Sequence, residues 1–327
     1  MTTKAVNGSG GRFPLLIQNG KTTESGLLGS IAVTLPVIIS PQYPDPWNNV
    51  RIYFYYGDGN LQNTSYQLKD ANQLLNHPVF DINKLTTLYV HGYTESQASE
   101  SIQVVKNSYS YLPNYNFLAL DYSLYVEANI KSIDYISAYQ AVPYLAPYIT
   151  EALLNLFNAG LPLQDFHLVG HSLGSQLSGY IGREIIQQSG GSLILPRISG
   201  LDPANPGYYD LPIDIIFDHL GPSDAVFVDV IHTDAGLLGA PYSTGTVDFW
   251  PNGGYSVQSG CPVPRHLFTG DDNDCCSHWR SWRFWAESVA NLYQQKFIAN
   301  KADSYTSYLL GFYEDETAIM GLHVSLE

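Results

Sequence analysis

Phe166-His-Leu-Val-Gly-His-Ser-Leu-Gly174 is the stretch that decides the fold. Phe166 to Val169 is a short apolar run of strand length. Gly170-His-Ser-Leu-Gly174 has the form G-x-S-x-G. From Leu173 to Ser189 apolar residues recur at helical spacing. A strand that passes through a tight turn straight into a helix places the central serine on that turn. Small residues on either side let the backbone fold so sharply. The amides at the helix start favour negative charge beside the hydroxyl. Ser172 is therefore the candidate nucleophile.

Working outward, the same alternation recurs on both sides. Arg51–Tyr56, Leu88–His91, Phe117–Leu120, Arg197–Leu201 and Val226–His232 read as strands, and 1–50 as strands and loops. Tyr139, Val142, Leu145, Ile149, Leu153 and Leu156 mark an amphipathic helix between Asp134 and Asn158, with a bend expected near Pro143 and Pro147. Trp279 to Gln295 reads as a helix with an aromatic face. Short buried strands alternating with longer helices predict an α/β fold with a mainly parallel central sheet flanked by helices. Ligands in such sheets sit beyond the carboxyl ends of the strands.

A serine hydroxyl needs a base to take its proton, and the base needs an orienting carboxylate. In folds with this turn the chain order is Ser, acid, His. Asp202 follows the strand ending at Leu201 and is the leading acid; Asp224, Asp229 and Asp234 are rivals. The candidate bases are His232, His266, His278 and His323. His278, in an expected loop before the aromatic helix, ranks only modestly above His232, at the end of a strand. Two backbone amides must also face the developing oxyanion. Leu173, the residue after the nucleophile, supplies one, and Tyr93, in the turn after His91-Gly92, the natural second.

The 327 residues suffice for one large domain. Hydrophobic residues make up 45% and charged residues 14%, as in a globular chain. The net charge of −15 argues against nucleic acid and other polyanions as partners. No apolar run reaches membrane-spanning length, and Met1–Arg12 lacks the apolar core of a secretory signal. The three cysteines, Cys261, Cys275 and Cys276, fit either one disulfide plus a thiol or three thiols, and adjacent cysteines are not the usual zinc spacing. Asn7-Gly-Ser9 and Asn63-Thr-Ser65 are glycosylation tripeptides.

Six segments in order resemble the animal pancreatic-lipase family of lipases, phospholipases A1 and insect yolk proteins. They are Val90-His-Gly-Tyr93, His167–Gly174, Ile198-Ser-Gly-Leu-Asp-Pro-Ala-Asn-Pro206, Phe227-Val-Asp-Val-Ile-His-Thr-Asp234, Asp248-Phe-Trp-Pro-Asn-Gly-Gly254 and Cys276-Ser-His-Trp-Arg280. They span about residues 50–290. The resemblance implies an α/β-hydrolase fold, with Ser172 as nucleophile, Asp202 as acid, His278 as base, and Tyr93 and Leu173 as oxyanion donors. It implies a Cys261–Cys276 disulfide bracketing a lid, with Cys275 as the odd thiol, and an extracellular, secreted protein.

The resemblance has departures. The lid, Pro262–Cys275, and the facing loop, Ala235–Thr246, are short, as in the phospholipases A1. Asp224 fits a calcium-ligand position, but Ile216, His219 and Gly221 stand where the family has oxygen donors, so no metal and no other cofactor is expected. Most of the family's disulfide cysteines are missing, and no C-terminal β-sandwich domain is expected. The chain is expected to be a single hydrolase domain over 1–327, with 1–30 and 300–327 peripheral. The expected function is a serine carboxylester hydrolase acting on glycerolipids, phospholipase A1-like or a neutral lipase or esterase, with lipid or small ester substrates and peripheral lipid-surface contact. Asp271, Asp272 and Asp274 are expected to disfavour anionic lipids. The alternative is a non-enzymatic yolk, storage or lipid-carrier protein on the same fold.

Overall fold

The computed structural model describes residues 13–16, 43–57, 60–126, 134–209, 217–263, 275–292, 294 and 296–324. The strands, in chain order, are β1 (Phe13–Leu16), β2 (Arg51–Tyr56), β3 (Gln62–Gln67), β4 (Leu85–Val90), β5 (Tyr115–Asp121), β6 (Phe166–His171), β7 (Arg197–Leu201), β8 (Phe227–Ile231), β9 (Val247–Phe249), β10 (Ile298–Lys301) and β11 (Thr317–Ile319). The helices are α1 (Pro46–Asn49), α2 (Glu100–Tyr109), α3 (Asp134–Asn158), α4 (Leu173–Gln188), α5 (Cys276–Ala290) and α6 (Tyr305–Leu309).

The strands form one sheet in the order β11-β10-β1-β9-β8-β7-β6-β4-β5-β2-β3. From β9 to β5 neighbouring strands run parallel. This is the expected α/β-hydrolase architecture. The parallel strands are nearly continuous apolar runs because both faces are covered. Leu88, Leu118, Leu168, Ile198 and Val228 belong to a core shared with Leu145, Ile149 and Leu153 of α3 and Leu177 and Ile181 of α4. Tyr89, Phe117, Val169 and Ile231 face the other way, into a core with Ile102 and Val105 of α2 and Trp282 and Trp285 of α5. Alternate residues of one strand thus serve opposite layers.

The register carries the site. β6, β7 and β8 align His171 with Leu201 and Leu201 with Ile231. The next residues, Ser172, Asp202 and His232, therefore emerge side by side at the carboxyl ends of three central strands. Pro143 and Pro147 lie within α3, which runs on through both. The bounds 1–30 and 300–327, expected to be peripheral, hold β1, the second half of β10 and β11 at one end of the sheet.

A candidate active site at the β6–α4 turn

Ser172 sits at φ 55° and ψ −120°, a conformation that L-residues adopt only when their surroundings impose it. Its flanking glycines show what imposes it. A Cβ added to Gly170 would lie 2.4 Å from the Gly174 carbonyl oxygen, and one on Gly174 would lie 2.2 Å from that of Val90. Only bare backbone fits where β6, α4 and β4 meet. The Ser172 N–H donates to the Leu201 carbonyl at 3.0 Å, which ties the turn to β7. Leu173 opens α4, so its N–H has no acceptor within the helix.

Asp202 also has positive φ, 48°. Its own N–H donates to Ile231 O at 2.7 Å. Its Oδ1 accepts the N–H groups of Thr233 and Asp234 at 2.8 and 3.1 Å. The other oxygen, Oδ2, lies 2.6 Å from His278 Nδ1. An ionised carboxylate can only accept, so the imidazole carries its proton on Nδ1 and turns Nε2 outward as the basic nitrogen. The ring of His278 packs 4.9 Å from that of His171, the neighbour of Ser172 in the chain. Burial pushes His278 down, but the hydrogen bond and charge of Asp202, with the charge of Asp234, outweigh it and raise its pKa above the ordinary value.

His278 lies not in a loop, as the sequence suggests, but in the first turn of α5. The helix begins at Cys276, which is bonded to Cys261. The two Cα atoms are 5.6 Å apart, and Cys275 is the cysteine outside this disulfide. Ser277 is anchored as well: its hydroxyl accepts from Gln258 N at 3.0 Å.

The rival residues are engaged elsewhere. His232 Nε2 bonds Asp248 Oδ1 at 2.7 Å, its Nδ1 lies 3.2 Å from Ala240 O, and its ring stacks on Trp250 at 3.8 Å. Asp229 takes Arg197 and the Ser199 hydroxyl. Asp234 accepts from Leu238 N, and burial followed by the charge of Asp202 pushes its carboxyl up to about 7. His323 lies beyond β11, and His266 lies outside the described residues.

Asp224 answers the question of calcium. Arg183 Nη1 reaches its two oxygens at 2.8 and 2.7 Å and donates to the His219 carbonyl at 3.1 Å. The Gly221 N–H, a donor, also points at Asp224. The oxygens that would hold a cation already surround a guanidinium, so these residues do not fit a calcium ion. Ile216 lies outside the described residues, as do 264–274, which hold most of the lid with Asp271, Asp272 and Asp274.

Tyr93 follows the His91-Gly92 turn, and its ring meets Tyr135 edge-on at 5.0 Å. Tyr135 in turn packs on Tyr139, and Tyr139 on Tyr208 and Phe217. Four tyrosines and Phe217 thus form an aromatic cluster running from this turn.

The lipase family profile matches residues 29–323. The chain belongs to the animal pancreatic-lipase family. It is 29% identical over 266 residues to a pancreatic triacylglycerol lipase of Mus musculus, covering 75% of this chain and 54% of that protein. It is 31% identical over 244 residues to lipase member H of Oryctolagus cuniculus, covering 73% and 50%. The chain of this family member spans about half the length of those relatives. Among solved structures, a cold-adapted esterase from an Arctic intertidal metagenomic library aligns with TM-score 0.35 at 14% identity, over 59% of this chain and 76% of that one. Among the described residues of this lipase-family chain, no helix is long and apolar enough to cross a membrane.

Proposed function

We propose that the chain is a serine carboxylester hydrolase that cleaves acyl esters of glycerolipids. The observation that carries this reading is the Asp202–His278 hydrogen bond, with the His278 ring against the turn that holds Ser172. His278 Nε2 takes the Ser172 proton as Oγ attacks the carbonyl carbon. The amides of Leu173 and Tyr93 receive the oxyanion. His278 returns the proton to the leaving alcohol, and the acyl-serine remains. Water, deprotonated by the same imidazole, then releases the fatty acid and restores Ser172. Asp202 fixes the tautomer and stabilises the imidazolium.

The half-buried rings of Tyr93 and Tyr135 beside the turn offer an apolar contact for an acyl chain. The short lid and facing loop favour phospholipids or small neutral esters over bulk triglyceride. The disulfide supports an extracellular, oxidising location. We take the chain as a single hydrolase domain.

Fatty-acid release from phosphatidylcholine vesicles and from a short-chain ester tests the reading, with Ser172→Ala as control. Hydrolysis of either substrate that the variant lacks is expected. No hydrolysis of any ester would favour a storage or carrier role.

A further inference from the structure

Glu95 has no part in the scheme above, yet its carboxylate bridges the two turns that flank the site. Its Oε2 accepts the Gly92 N–H at 2.6 Å and lies 3.0 Å from His171 Nδ1. Gly92 is one residue before Tyr93, and His171 one before Ser172. A single oxygen therefore joins the turn that carries one oxyanion amide to the turn that carries the nucleophile. The contact is close. A Cβ on Gly92 would fall 2.9 Å from Glu95 Oε2, 3.0 Å from His171 Nδ1 and 3.1 Å from Ser172 Cβ.

The Gly92 carbonyl is held too: His91 Nδ1 lies 2.9 Å from it. Glu95 N donates to Gly92 O at 3.4 Å, and the neighbouring Thr94, at φ 60°, donates to Val126 O at 3.0 Å. A turn strained at Thr94 keeps its shape only if something over-determines it. Burial alone would raise the Glu95 carboxyl, but the charge that His171 carries in the acid range where Glu95 titrates, with its hydrogen bond, outweighs burial and holds it at about 2. The carboxylate is thus ionised and can only accept, and charge-assisted bonds of this kind are the strong ones. Burial favours the neutral form of His171, with its proton on the Nδ1 that faces Glu95. His171 in turn packs against the ring of His278.

We propose that Glu95 and His171 are a positioning pair that sets the Gly92–Tyr93 peptide against Ser172, so that the Tyr93 amide points at the oxyanion. The inference rests on the hydrolase reading above. Glu95 touches no reacting atom. Its removal should weaken stabilisation of the transition state and leave ground-state binding alone.

The test compares wild type, Glu95→Gln and Glu95→Ala on a short-chain ester, with rates expressed per site titrated by a fluorophosphonate. Glu95→Ala should lower kcat about 10²-fold with KM within about threefold, the scale of a lost oxyanion donor. Glu95→Gln, which keeps an acceptor without charge, should fall between. Inhibition by a trifluoromethyl ketone, which forms the oxyanion on Ser172, should weaken in parallel with kcat/KM. Unchanged kcat in a folded Glu95→Ala or Glu95→Gln protein would overturn the proposal. The amide proton of Gly92 gives a readout that needs no activity. It should resonate far downfield in wild type and move upfield in Glu95→Gln. An inactive wild type with that shift would remove the hydrolase reading and keep the clamp. An ordinary Gly92 shift in wild type would remove the clamp.

Discussion

Asp202 Oδ2 and His278 Nδ1 meet at 2.6 Å across 76 residues of chain. The contact joins the end of β7 to the first turn of α5, and two backbone amides hold the other carboxylate oxygen. Asp202 therefore has little freedom to turn away. Asp202→Asn should keep the fold and lower kcat by about 10⁴-fold, because an amide no longer enforces the Nδ1–H tautomer. Steady-state kinetics alongside circular dichroism would check it; a loss below tenfold would deny Asp202 the role.

In the proposed scheme His278 is neutral when it accepts the serine proton, so activity should rise with pH through its ionisation. Burial lowers that pKa, but the bond and charge of Asp202, then Asp234, raise it more. The acid limb of kcat/KM should lie above the ordinary histidine value of about 6.5. Asp234→Asn removes one of the raising charges and should move the limb down by roughly one pH unit or less while kcat persists.

The same substitution carries a stability signature. Asp234 titrates at about 7 in the folded chain against 3.8 as its ordinary value. Between those values the folded state holds a proton that the unfolded state has lost. Stability therefore falls as pH rises through this window. Asp234→Asn, which has no carboxyl to ionise, should gain about 1–3 kcal/mol on wild type at pH 8 and less at pH 4. Urea melts at the two pH values would measure the difference.

Some of this was legible in the sequence and some was not. β6, its turn and α4 could be read because glycine, serine and an apolar strand are local signals, and β7 because it ends at Asp202. The sequence alone left His278 only modestly ahead of His232 as the candidate base. Each follows or precedes a regular element, and what separates them is the partner each finds, Asp202 or Asp248. α2 was missed because Ile102, Val105 and Tyr109 are a thin apolar stripe among polar residues. β3 was missed because Gln62–Gln67 is a polar edge strand that needs only one partner. Glu95 left one faint signal, a carboxylate three residues after Gly92.

The Arg183–Asp224 pair predicts indifference to chelators. EDTA should change neither rate nor melting temperature. Arg183→Ala should instead cost roughly 2–4 kcal/mol, since it leaves a buried carboxylate without its cation. Calcium-dependent activity in wild type would contradict this account of Asp224.

The Cys261–Cys276 bond closes a loop of separation 15 and starts the helix that carries His278. Thiol titration in denaturant should find one thiol per chain before reduction and three after. Cys261→Ser should cost about 3 kcal/mol of stability, with kcat falling as α5 loosens.

The most direct measurement is labelling with a fluorophosphonate, followed by mass spectrometry of the modified peptide. A single adduct on Ser172, absent from Ser172→Ala and strongly slowed in His278→Ala, is the predicted result. A folded wild-type protein that takes no label, while a known serine hydrolase is labelled under the same conditions, would contradict the claim that Ser172, His278 and Asp202 work as one catalytic unit.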